Sequence, residues 1–156
     1  MKRYIHLYDA FSGINSGDKA RLIKFLHKNS EEKDVSVIED AIDYALKIKP
    51  SFGGYIFTSW EEKQLLGLVL VNKTGMGGFN PGHLMVYACL EQSFQHKPKI
   101  LKELIQRAMR HCKGEIALHL RPDNPALPIF KSMGFQEQYL ELRLPAKVGA
   151  AATRAI

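Results

Sequence analysis

The residues with the most legible chemistry sit at the start of one helix. The run Gln95-His96-Lys97-Pro98-Lys99-Ile100 opens an amphipathic segment. His96, Lys97 and Lys99 put basic side chains where the helix dipole disfavours cations. A bound anion would relieve that conflict, because a helix N-terminus favours negative charge. A solvated basic turn is the alternative, and the sequence leaves both open.

Other patterns carry less. Gly75-Met-Gly-Gly78 looks like a phosphate loop, but position 80 is Asn and no Lys-Ser/Thr follows, so a long β-turn is expected. The six histidines are dispersed, with no H-x-x-x-H or C-x-x-C pair, so no metal site is expected. G-x-S-x-G is absent, which argues against Ser hydrolase chemistry.

Composition sets the outer limits. The chain has 156 residues, 46% hydrophobic and 24% charged, which suits one globular domain. Net charge is +6, but no run of five Lys/Arg occurs. A basic stripe with interleaved aromatics would be needed for nucleic acid, and none is present. Neither a membrane span nor a signal peptide is legible, so a cytoplasmic protein is expected. Cys89 and Cys112 lie in apolar segments and read as free buried thiols.

The elements that must position the basic turn follow from periodicity. Tyr4–Tyr8 reads as a first strand. Asp18 could cap a helix to about Lys28, and residues 34–49 carry a continuous apolar stripe that Pro50 stops. Tyr55–Thr58 and Leu65–Val71 read as a hairpin, the second strand covered on both faces. Leu84–Leu90 is another buried strand. Residues 98–112 form a helix expected to pack through Ile100, Leu104, Ile105 and Met109. A strand from Ile116, a short helix from Asn124 closing at Gly134, and a last strand over Tyr139–Leu144 complete the order β-α-α-β-β-β-α-β-α-β. Residues 1–144 are expected to form one domain and 145–156 a tail.

That order resembles the GNAT superfamily of N-acyltransferases over about residues 3–144. Leu65-Leu-Gly-Leu-Val-Leu-Val71 resembles the third family strand. Val86–Leu90 and the helix after it resemble the cofactor-binding strand-turn-helix. Asn124-Pro-Ala126 through Phe130-Lys-Ser-Met-Gly-Phe135 resembles the passage into the last short helix. The resemblance implies an α/β (α+β) fold with a mixed, twisted central sheet flanked by helices on both faces. It implies transfer of an acetyl or short acyl group from acetyl-CoA to a primary amine, on a small molecule or peptide. A catalytically inactive module of the same fold, binding CoA or another protein, is the alternative. A homodimer is left open.

The implied site has three parts. Gln95 matches the first position of the family's Q/R-x-x-G-x-G/A turn, but Pro98 and Ile100 stand where the glycines belong, and Pro98 donates no hydrogen bond. His96, Lys97 and Lys99 would supply charge in place of that backbone cradle. Cys89 and Leu90 would offer backbone groups to the pantetheine if the strand splays from its neighbour, with Asn124 and Phe130 also lining the cofactor. Phe130 replaces the Tyr that often protonates the thiolate. Tyr87, Tyr139 or a water could substitute as acid, and Glu91 could act as base through water, with Asp9 and Glu61 as weaker candidates.

Overall fold

The computed structural model describes residues 2–146. In chain order they form β1 (Arg3–Tyr8), α1 (Ser16–Asn29), α2 (Val35–Ala45), β2 (Gly54–Glu61), β3 (Gln64–Lys73), β4 (His83–Leu90), α3 (Pro98–His111), β5 (Ile116–Leu118) and α4 (Leu127–Ser132). A 3-10 turn over Gln92–Phe94 joins β4 to α3. The five strands lie in the order β1-β2-β3-β4-β5. The first four are antiparallel, and β5 runs parallel to β4, so the sheet is mixed.

Helices cover both faces. On one, Leu22 and Leu26 of α1 and Ile38 and Ile42 of α2 pack on Ile56, Leu68 and Leu70. On the other, Leu104 and Ile105 of α3 and Phe130 of α4 pack on Phe57, Val69 and Val71. β3 is central and buried from Leu65 to Asn72. Its unbroken apolar run follows from being covered on both sides. At Gly67 the α3 layer comes so close that a Cβ would stand 2.9 Å from Leu104 Cδ1.

Several boundaries differ from expectation for local reasons. The α1 cap is Asn15, whose Oδ1 accepts from the Asp18 N–H at 2.7 Å. α2 ends at Ala45, before Pro50, because Lys47 takes a left-handed φ of 56°. Met109 is 43% exposed and lies outside the α3 core stripe that Ile100, Leu104 and Ile105 do form. Tyr139–Leu144 makes no ladder, and Leu140, Leu142 and Leu144 stay exposed. Residues 147–156 of the expected tail lie outside the described residues.

Candidate active site

The sheet opens between β4 and β5. They pair only over His83–Met85 with Ile116–Leu118, while β4 continues to Leu90. From Val86 onward the β5-side edge of β4 therefore lacks a ladder partner. Strand alternation decides which groups face this gap. The Glu91 N–H donates to Leu66 C=O on the β3 side at 2.7 Å. Cys89, paired with Leu68 in the same register, turns its backbone groups that way too. Ala88 and Leu90 then direct theirs into the gap. The Gln95 side chain confirms the sense, its Nε2 donating to Leu90 C=O at 3.0 Å.

The splay that would free backbone groups on β4 is thus present, with Ala88 at the open edge where Cys89 was expected. Ala88 was missed because the side chain gives no chemical signal and the parity emerges only once the β3 partner is known. Cys89 is half-buried, and desolvation of its thiol pushes it up to about 12 and leaves it unreactive near neutral pH.

One end of the gap is closed by α1. Lys28 Nζ lies 2.6 Å from Glu91 Oε1, and Asn29 Oδ1 accepts from the Gln92 N–H at 3.1 Å. Just beyond, Arg121 Nε stands 3.6 Å from Glu31 Oε2, joining the segment after α1 to the segment after β5. Glu31, Arg121, Asp123, Asn124 and Pro125 line an open cleft of about 490 Å³ there. Glu31 and Arg121 were not singled out from the sequence, since nothing local marks partners so distant along the chain.

Glu91 itself is fully occupied. Its carboxylate takes Lys28, the Ser93 hydroxyl and, at 2.7 Å, the Ser93 N–H, capping the 3-10 turn. Lys28 first, then Ser93, hold its pKa down to about 2. A carboxylate so stabilised has little proton affinity and suits a cap better than a base. Tyr87 is buried on the α1/α2 face of the sheet, and desolvation, reinforced by Glu32, pushes its phenol up to about 12.

The basic turn is exposed. His96, Lys97 and Lys99 all face solvent, while Ile100 is 1% exposed and belongs to the core under α3. Ile100 can therefore reach a ligand through its backbone only. α3 begins without a side-chain cap, with Pro98 in its first turn. The Ile100 N–H is spent on Lys97 C=O at 3.2 Å, so Lys99 holds the backbone donor left in that turn. Lys97 Nζ rests 5.6 Å above the Phe94 ring.

Phe130 and Asn124 have structural partners. Phe130 is 1% exposed and meets Phe135 edge-on at 5.5 Å, so its ring serves the core and does not line an open surface. Asn124 Oδ1 accepts from the Ala126 N–H at 2.8 Å and closes the turn into α4. Among the described residues no group of three His, Cys, Asp or Glu side chains could hold a metal ion. No described helix is long and apolar enough to cross a membrane.

No family model matches the sequence, and no curated protein matches it significantly. Solved structures do share its architecture. An aminoglycoside acetyltransferase from an uncultured soil metagenomic sample, in complex with sisomicin, superposes with a TM-score of 0.65 over 93% of this chain and 97% of its own, at 16% identity. The aminoglycoside N-acetyltransferase AAC(6')-Iy in complex with CoA gives 0.69 over 95% and 98%, at 12% identity. A GNAT-family acetyltransferase from Streptococcus pneumoniae TIGR4 gives 0.62 over 91% and 98%, at 14% identity.

Proposed function

The chain carries the fold of the GNAT acetyltransferases, and from that premise we propose that it transfers an acetyl or short acyl group from CoA to a primary amine. The observation that carries this reading is the open β4 edge, where Ala88 and Leu90 offer backbone groups beside an exposed basic turn. Those residues fit CoA in kind. Ala88 and Leu90 match a chain of amides, and His96, Lys97 and Lys99 match a diphosphate. Acetyl-CoA supplies an activated thioester carbonyl.

The protein's own part is positioning. A free N–H on the β4 edge can donate to a carbonyl oxygen as charge grows there. Gln95 fixes Leu90 C=O and with it the end of that edge. The open cleft lined by Glu31, Arg121 and Asp123 is the place we assign to the amine. Holding the two reactants together supplies much of an acceleration without any titrating side chain. The amine must arrive neutral or lose its proton to water, since Glu91 is committed to Lys28 and Ser93.

A second reading has its own support. Phe130 and Tyr87 are buried, and Glu91 is committed to Lys28 and Ser93, so none of these three supplies an acid or base near neutrality. That suits a module that binds CoA without turning it over. Thiol release from acetyl-CoA across a panel of primary amines, alongside calorimetry with CoA, separates the two. Binding with turnover supports transfer, binding without turnover supports the module, and no binding at low salt rejects both.

A further inference from the structure

A second cleft, of about 370 Å³, opens between α1 and the β2–β3 hairpin. That is the size of a small-molecule site. Arg21, Lys24 and Lys28, spaced i, i+3 and i+7 on one face of α1, line one side, and Lys63 of the hairpin turn comes in from the other. Glu91 is the only carboxylate in the lining, and the hairpin's own acids, Glu61 and Glu62, take no part in it. A cleft lined mainly by one sign of charge concentrates ions of the opposite sign.

Two of the four cations are spent. Lys28 holds Glu91 at 2.6 Å, and Arg21 Nη1 stands 3.8 Å from Asp18 Oδ1. Among the described residues neither Lys24 nor Lys63 forms an ion pair. These two unspent charges belong to different elements that the fold brings to one cavity. Between them lie the buried side chains of Phe25, Trp60 and Leu65. The Trp60 Nε1–H is already donated to Thr58 Oγ1 at 2.7 Å, so the ring offers the cleft only carbon. The site therefore combines two free cations with an apolar floor.

We propose that this cleft binds a small organic dianion, a phosphate monoester or a dicarboxylate carried on an apolar body. The charged group takes Lys24 and Lys63, and the apolar body lies against Phe25, Trp60 and Leu65. The site is separate from the basic turn at Lys97 and Lys99 and does not depend on acyl transfer.

Trp60 is the only tryptophan in the chain, so its indole N–H gives one separate peak in a nitrogen–proton correlation spectrum. Phenyl phosphate and phthalate are the two dianionic probes. Benzoate keeps the ring with a single charge, and inorganic phosphate keeps the charge without the ring. Titration at neutral pH should move the Trp60 peak and the amides of Lys24 and Lys63 saturably with at least one dianionic probe, and the tighter of the two identifies the headgroup. Benzoate and inorganic phosphate should bind several-fold more weakly. Lys24→Glu/Lys63→Glu should weaken the preferred probe by about tenfold or more, because its charge-assisted contacts are reversed in sign. Both lysines are exposed, so the melting temperature should match wild type. No saturable shift with either dianionic probe at tens of millimolar overturns the proposal. So does equal binding of all four probes, or a charge-reversed variant that binds like wild type. Loss of binding in Lys97→Ala/Lys99→Ala instead would place the anion at the basic turn and overturn it as well.

Discussion

Lys28 and Glu91, 63 residues apart in sequence, meet at 2.6 Å and pin the end of α1 to the end of β4. The contact fixes the floor of the open edge and removes the most obvious base from service. Its pH signature is definite. The Glu91 pKa is lowered from 4.5 to about 2 in the folded chain, so the stability it contributes is complete above about 4.5. That contribution is lost as pH falls toward 2. Glu91→Gln should therefore flatten the fall of melting temperature between pH 4.5 and 2 relative to wild type. An identical acid profile in both proteins would mean that the pair is not formed in solution.

The same assignment predicts the pH profile of any turnover. Glu91 is ionised throughout the neutral range, and the Tyr87 phenol keeps its proton up to about 12. Neither group gives a limb between those limits. The rate constant kcat/KM should climb with pH until the amine acceptor itself is neutral, and the break should move with the pKa of the amine chosen. A break that stays fixed across amines of different basicity would reveal a titrating enzyme group.

Gly67 tests how closely α3 rides on the sheet. A Cβ there would meet Leu104 Cδ1 at 2.9 Å and Leu90 Cδ2 at 3.2 Å, and Leu104 is fully buried. Gly67→Ala should cost about 1–3 kcal/mol by overpacking. Leu104→Ala should cost about 2–5 kcal/mol through the cavity it leaves. Denaturant melts measure both, and near-wild-type stability in either would contradict this packing.

Much of this architecture was legible in the sequence. The apolar doublets of α3 and the unbroken run of β3 carry their signal locally, and both correspond to elements of the fold, whereas α2 ends at Ala45 and not at Pro50. Tyr139–Leu144 read as a strand because its alternation is that of a strand, yet no ladder holds it in one chain. The site was less legible. Which residues of β4 face the gap depends on the register with β3, and the Lys28–Glu91 contact depends on how α1 lies over the sheet. Phe130 marked the missing acid by type, but its burial against Phe135 comes from tertiary packing alone.

Phe130→Tyr follows from that burial. The added hydroxyl would enter the core beside Phe135, where the ring is 1% exposed. It should cost about 1–3 kcal/mol as an unpaired buried polar group and should leave turnover unimproved. Thermal melts and thiol release on the same samples decide it. A gain in rate with unchanged stability would mean that the ring edge faces the cofactor cleft after all.

The central claim is that the open β4 edge and the basic turn hold CoA for transfer. Isothermal titration of CoA into the wild-type chain, at low and high salt, tests it most directly. The account predicts binding that weakens as salt rises, because exposed Lys97 and Lys99 are screened. It also predicts several-fold weaker binding in the Lys97→Ala/Lys99→Ala variant. Absence of CoA binding at millimolar concentration and low salt, or binding indifferent to both changes, would contradict it.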